Sequence, residues 1–192
     1  AFNTLGNGAS DIENGDLTLK VSKPGGLERF NHFLPKGEGW VPVHRPYAVA
    51  SGSDGSLFVV DFPKIKKLSD TGKLLTEWSL GTSGASQYDI AINDGFVYVV
   101  DANYDNIQKF DINGKFITKW GSRGNGDGQF YDPTGISVSP DHYVFVVDRW
   151  NNNIQKFDSS GNFVSKMGTY GTQDGQFNNP YGVAIGPDGS IY

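Results

Sequence analysis

The sequence predicts an all-β protein assembled from repeated units of four short antiparallel strands. Three observations carry this. One pattern recurs: Phe145-Val-Val-Asp-Arg-Trp-Asn-Asn-Asn-Ile-Gln-Lys-Phe157 repeats Tyr98-Val-Val-Asp-Ala-Asn-Tyr-Asp-Asn-Ile-Gln-Lys-Phe110. A fainter copy lies at Phe58-Val-Val-Asp61, and Gly189-Ser-Ile-Tyr192 begins another. Glycine supplies 26 of the 192 residues, about twice the ordinary ~7%, as many tight turns require. No segment shows the 3.6-residue apolar period of a helix.

Residues 1–45 differ from the rest. Ala1 to Asp16 is rich in Asn, Gly, Ser and Asp and reads as loop. Leu17 to Val21 alternates like a short strand, stopped by Pro24-Gly25-Gly26. Leu27 to Leu34 reads as a strand or one helical turn, and Gly37 to Val43 as a connection. The region is expected to be a degenerate repeat or a closing strand, or else a linker from an upstream domain.

From residue 46 onward the units can be superimposed. Tyr47-Ala-Val-Ala, Tyr88-Asp-Ile-Ala-Ile, Thr134-Gly-Ile-Ser-Val and Tyr181-Gly-Val-Ala-Ile are equivalent first strands. Each leads through Ser53-Asp-Gly, Asn93-Asp-Gly, Pro140-Asp-His or Pro187-Asp-Gly, which are tight hairpin signals. The second strand ends at Asp61, Asp101 or Asp148. The third covers Ile65–Leu68, Ile107–Phe110 or Ile154–Phe157. A turn with Gly72, Gly114 or Gly161 gives a fourth strand ending near Trp78, Trp120 or Met167. Four antiparallel strands per roughly 40–47 residues is the signature of a β-propeller blade. The chain then holds three full blades, a partial fourth and a degenerate N-terminal one, with domain limits at 1–45 and 46–192.

Gly135-Ile-Ser-Val, Phe145-Val-Val-Asp148, Asn153-Ile-Gln-Lys-Phe157 and Asp174-Gly-Gln-Phe177 together resemble the NHL repeat. Asp127-Gly-Gln-Phe130 is a second copy of the last motif. The resemblance covers 46–192, strongly from 88 onward, and implies a propeller of mostly six blades used for interaction. Six such units need roughly 250 residues or more. The chain, which starts at Ala1 and stops inside a unit, is therefore expected to be part of a longer or processed protein, or to be completed by another chain.

The function classes narrow in the same way. A formal charge of −5, without a basic run, argues against a nucleic-acid partner, although some NHL domains bind RNA. There is no cysteine, so thiol catalysis, disulfides and Cys-ligated metal are excluded. No apolar run is long enough for a transmembrane helix. The repeated Asp61, Asp101 and Asp148 are expected to accept bonds from N–H groups of the following loop. The Asn-rich loops Asn103–Asn106 and Asn151–Asn153 suggest calcium, but lack the acidic alternation of a calcium loop. His32, His44 and His142 show no zinc spacing. Among NHL-like propellers the peptide-amidating lyases use zinc, and His44 is the best placed for that alternative, a metal-dependent lyase or hydrolase. The expected cofactor is none.

In an up-and-down blade, the loop after strand two and the linker after strand four emerge on one face. That face gathers Phe62, Lys64, Tyr104, Arg149 and Trp150 with Ser122, Arg123, Tyr131, Asp132, Tyr170 and Asn178. Tyr47, Tyr88, Thr134 and Tyr181 are placed at the channel mouth. Tyr, Trp and Arg dominate binding hot spots. Tyr47, Tyr88, Tyr104, Arg123, Tyr131, Arg149, Trp150 and Tyr181 are the expected binding residues, for a protein, peptide or glycan. The competing expectation is that Trp150 and the tyrosines pack between blades. A mature start at Ala1 without cysteine suits an extracellular or cell-surface location.

Overall fold

The computed structural model describes residues 41–81 and 89–192. The expected strand at Leu17–Val21, the segment Leu27–Leu34, His32 and Tyr88 lie outside the described residues. Among the described residues the chain builds three four-stranded antiparallel sheets, each in simple sequence order. Blade 1 holds β1 (Pro46–Ser51), β2 (Leu57–Asp61), β3 (Lys64–Leu68) and β4 (Leu74–Ser79). Blade 2 holds β5 (Ile90–Asn93), β6 (Phe96–Asp101), β7 (Asn106–Asp111) and β8 (Phe116–Trp120). Blade 3 holds β9 (Pro133–Val138), β10 (Val144–Asp148), β11 (Asn153–Phe157) and β12 (Phe163–Met167). The expected first strand at Tyr181–Ile185 is only a bridge between Ile185 and Ile191. There Ala184 and Tyr192 exchange both backbone hydrogen bonds, each 2.9 Å.

The second strands are continuous apolar runs because both of their faces are buried. Successive side chains point to opposite faces of a strand. On β6, Val97 and Val99 pack with Phe58, Val60, Ile65 and Ile90 on the blade 1 side. Their neighbours Tyr98 and Val100 pack with Ile136, Val144, Val146 and Phe157 of blade 3. On β10 the alternation repeats: Phe145 and Val147 turn away from blade 2 toward Val183. The core is thus a series of layers between blades, and no blade could bury its faces alone.

Two devices set the blade spacing. Trp78 of β4 lies between Phe58 of its own blade, at 6.3 Å, and Phe110 of the next, at 6.1 Å. Trp120 repeats this with Tyr98 at 6.3 Å and Phe157 at 5.9 Å. Each indole presses on a turn glycine of the next blade, Gly114 or Gly161, both with φ of 90°. The third-strand lysines cover rings at the start of the second strands: Lys109 lies 4.0 Å from the ring centre of Phe96 on β6, and Lys156 3.7 Å from that of Tyr143, just before β10. Lys109 also donates to Ser159 O of blade 3 at 2.7 Å. Burial pulls the Lys109 ammonium below its ordinary range, and Asp158 opposes that shift. No helix among the described residues is long and apolar enough to cross a membrane.

Candidate functional site

The site is built on the aspartates that end the second strands. Asp148 is fully buried. It accepts from Tyr131 N at 2.9 Å, Asn151 Nδ2 at 2.8 Å and Gln155 Nε2 at 3.1 Å. Burial pushes its carboxyl above the ordinary range, opposed by the bonds from Asn151, Tyr131 and Gln155. Asp61 accepts from His44 N and Arg45 N, each at 2.7 Å, and from Lys66 Nζ at 2.6 Å. For Asp61 burial pushes upward, but the Lys66, Arg45 and His44 donors outweigh it and hold the carboxyl below the ordinary range. Asp101 accepts from Asn103 N at 3.1 Å and Gln108 Nε2 at 3.4 Å. Asp101 and Asp148 show the expected bond from the backbone of the following loop, at Asn103 N and Asn151 N. Asp61 and Asp148 also hold the segment that enters the first strand of their own blade.

This anchoring brings the two loop sets together on one face, as the up-and-down topology requires. Trp150 N donates to Tyr131 O at 3.1 Å, and Asn151 Nδ2 to Gly124 O at 2.8 Å. Gln155 clasps the linker with both ends of its amide. Its Oε1 accepts from Gly128 N at 2.9 Å and its Nε2 donates to Gln129 O at 2.6 Å. Phe130 of the same Asp-Gly-Gln-Phe motif is fully buried. The motif is thus a clip that fixes the linker over blade 3.

A second staple crosses from blade to blade. Asp132 N donates to Asp105 Oδ1 at 2.9 Å, and 47 residues on, Asn179 N donates to Asn152 Oδ1 at 2.8 Å. All four residues have positive φ, between 50° and 59°, which Asn and Asp tolerate better than most side chains. The first staple carries two carboxylates and the second two amides. Where the acids lie, arginines meet them. Arg149 Nη1 is 3.2 Å from Asp132 Oδ2, and Arg123 Nη1 is 3.8 Å from Asp105 Oδ2.

Those arginines complete a strip with three aromatic rings. The Arg123 guanidinium lies 4.4 Å from the Tyr131 ring centre. Tyr131 lies 6.2 Å from Trp150 at an interplanar angle of 36°. The Arg149 guanidinium is 5.2 Å from the Trp150 ring and 6.0 Å from that of Tyr181. Trp150 is 51% exposed, Tyr181 54% and Tyr131 43%. The indoles that do pack between blades are Trp78 and Trp120.

Five of the expected binding residues are therefore contiguous: Arg123, Tyr131, Arg149, Trp150 and Tyr181. Tyr104 lies instead in an open groove with Ser79, Leu80, Asn106, Gln108 and Lys119. Tyr47 is on β1 of blade 1, apart from the strip. Thr134 is buried and donates to Tyr181 O at 2.8 Å, which ties the start of β9 to the partial fourth blade. Asp105 and Asp132 complete the strip from below and were not expected as a pair. Their signal was present in the sequence, because the Asp105/Asn152 and Asp132/Asn179 positions share the 47-residue offset of the repeats. Among the described residues no three His, Asp or Glu side chains converge as metal ligands would. His44 Nδ1 is 3.8 Å from Asp61 Oδ2 and His142 Nδ1 is 3.7 Å from Asp94 Oδ2, in different blades.

Residues 85–168 match a family described as a 6-bladed beta-propeller. No curated protein matches the chain. Among solved structures, a streptogramin B lyase is similar at 19% identity with a TM-score of 0.61, over 79% of this chain and 48% of that one. Kuenenia stuttgartiensis hydrazine synthase gives 21% identity and a TM-score of 0.60, over 82% of this chain and 43% of that one. An auxiliary nutrient binding protein from Bacteroides thetaiotaomicron gives 16% and 0.58, over 73% and 43%. The chain spans less than half the length of each of these structures. Such likenesses establish the propeller fold and leave activity to the site itself.

Proposed function

We propose that this chain is a non-enzymatic binding module, a propeller segment that presents the strip from Arg123 to Tyr181 to a protein, peptide or glycan partner. The observation that carries this reading is the contiguity of three exposed aromatic rings and two arginines on the loop face. Arg123, Tyr131, Arg149 and Trp150 differ between repeats, whereas the blade-building Asp, Gln and Phe recur. Trp150 and Arg149 stand where the preceding unit has Asn103 and Ala102. The resemblance of the units to NHL repeats supports interaction as the role. The protein works outside the cell or on its surface. The test is the pair Arg149→Ala with Trp150→Ala. Partner capture is expected to disappear while the melting temperature falls by no more than a few degrees. A large loss of stability would show that Trp150 belongs to the core and remove this reading.

Two readings compete. A zinc- or calcium-dependent lyase or hydrolase predicts stoichiometric metal in the purified protein by elemental analysis. An RNA-binding domain predicts a gel shift that weakens steeply with salt.

A further inference from the structure

The strip is electrically balanced from within. Arg123 is met by Asp105 and Arg149 by Asp132. One repeat further, the staple is made of Asn152 and Asn179, which carry no charge, and the residue in the place of Arg123 is Tyr170. Arg123 and Tyr170 occupy the same register, since each bridges to the phenylalanine of its Asp-Gly-Gln-Phe clip. An acidic staple thus coincides with arginine and a neutral one with an aromatic ring. The arginines answer charge inside the protein, and the strip offers a ligand no net charge.

What it offers is a row of ring faces with polar edges. Tyr131 and Trp150 have ring centres 6.2 Å apart and planes inclined by 36°, and both rings are near half exposed, so together they form an aromatic shelf. Tyr181 continues the shelf beyond Arg149, and Tyr170 is 70% exposed on the next linker. The open groove at Tyr104 is lined by other residues. A peptide gains most of its affinity by sinking an anchor side chain into a desolvated pocket. A single-stranded nucleic acid needs cations free to take up phosphate charge as well as rings to stack on.

We infer that the strip binds a neutral oligosaccharide, an inference that rests on the binding reading above. A neutral pyranose is an uncharged chair with a face of C–H groups. Its C–H face packs on an aromatic ring, which has an apolar body. Its hydroxyls find donors in the guanidinium edges of Arg123 and Arg149 and an acceptor in the Asp132 carboxylate. Adjacent rings along the shelf would take successive sugar units.

The experiment is affinity electrophoresis of the intact chain in gels containing a neutral β-glucan, a xylan or a mannan, at low and high salt. Poly(U) gel shift and selection of phage-displayed peptides run in parallel. At least one neutral polysaccharide is expected to retard the protein, with retardation unchanged by salt. Trp150→Ala and Tyr131→Ala are each expected to weaken it at least about tenfold. Both side chains are near half exposed, and an unchanged circular dichroism spectrum and melt confirm that each variant is folded. Retardation that survives both substitutions overturns the assignment of the strip. Retention by poly(U) that falls with salt overturns it in favour of nucleic acid. No glycan binding together with peptides that require Trp150 overturns the sugar and keeps the binding module. If no probe distinguishes wild type from the variants, both fail.

Discussion

Replacing Gly161 by alanine tests how the blades are spaced. A Cβ built at this position would stand 2.6 Å from Cδ2, 2.7 Å from Cε3 and 2.9 Å from Cγ of Trp120. Ordinary carbon contacts are about 3.5–4.0 Å, so the indole would have to retreat by about 1 Å. It has little room, because it lies between Tyr98 and Phe157. Overpacking of this kind costs about 1–3 kcal/mol. The backbone adds its own cost, since a side chain at φ of 90° loses about 1–2 kcal/mol. Gly175 separates the two contributions: its φ is 75°, and a Cβ there would meet nothing within 4 Å. Gly175→Ala should therefore show the backbone cost alone, and Gly161→Ala about 1–3 kcal/mol more. In thermal melts of a chain this size the difference amounts to about 2–12 °C. Trp120→Ala should destabilise by itself but abolish the difference, so that Gly161→Ala in that background costs no more than Gly175→Ala. Equal effects of the two glycine substitutions in the wild-type background would refute the claim that the indole–glycine contact sets the blade spacing.

Other outcomes follow from the same geometry. Asp148→Asn keeps the shape but turns an Nδ2 toward the donors of Asn151 and Gln155. Gln155 cannot reverse its amide without losing Gly128 N, so a loss of about 2–3 kcal/mol is expected in urea unfolding, and no loss would contradict the network. Lys66→Gln installs in blade 1 the amide found at Gln108 and Gln155, and should cost about 1–2 kcal/mol at neutral pH. The Asp61 carboxyl is depressed in the folded chain, so the stability it contributes is present above its unfolded value, about 3.9, and is lost as pH falls through its lower folded value. The wild-type advantage over Lys66→Gln should hold at pH 6 and shrink below about pH 4. An advantage independent of pH would exclude the ion pair as its source. Changing Asp105 and Asp132 together to asparagine, as at 152 and 179, leaves Arg123 and Arg149 uncompensated. Poly(U) binding, expected to be absent in the wild type, should then appear and weaken with salt, and its absence would show that the acids do not neutralise the strip.

The strands were legible because their burial is extreme. β2, β6 and β10 lie between two neighbouring blades, so they read as unbroken apolar runs, and glycines at tight turns mark where they stop. The linker Gly121–Gly128 is Gly-rich, as a connector between blades is, but its clip to Gln155 was not legible, because Gln155 and Gly128 meet only when the blade folds back on itself. The loop face was legible from topology alone, since chain reversal at each turn decides which loops share a side. Which of its residues touch was not. Tyr131 meets Trp150 where the linker crosses the loop of blade 3, with Trp150 N donating to Tyr131 O, and Tyr181 meets Arg149 at the junction with the partial fourth blade, contacts that no repeat alignment encodes. Tyr47 lies on β1 and Tyr104 lines the groove with Ser79, Leu80 and Lys119. For the carboxylates, the sequence placed Asp61 and Asp148 correctly at the strand ends and suggested the following loop as their partner. Asp148 does accept from Asn151 of that loop. The second partner is the entering segment, which donates Tyr131 N to Asp148 and His44 N and Arg45 N to Asp61. It was not legible because it meets the strand end only in the folded blade.

The most direct test of the account is the binding isotherm of the wild-type chain and of Trp150→Ala for the neutral polysaccharide that retards the protein most. The account predicts saturable binding by the wild type and at least about tenfold weaker binding by the variant at an unchanged melting temperature. Equal affinities, or a variant that has lost its fold, would contradict it.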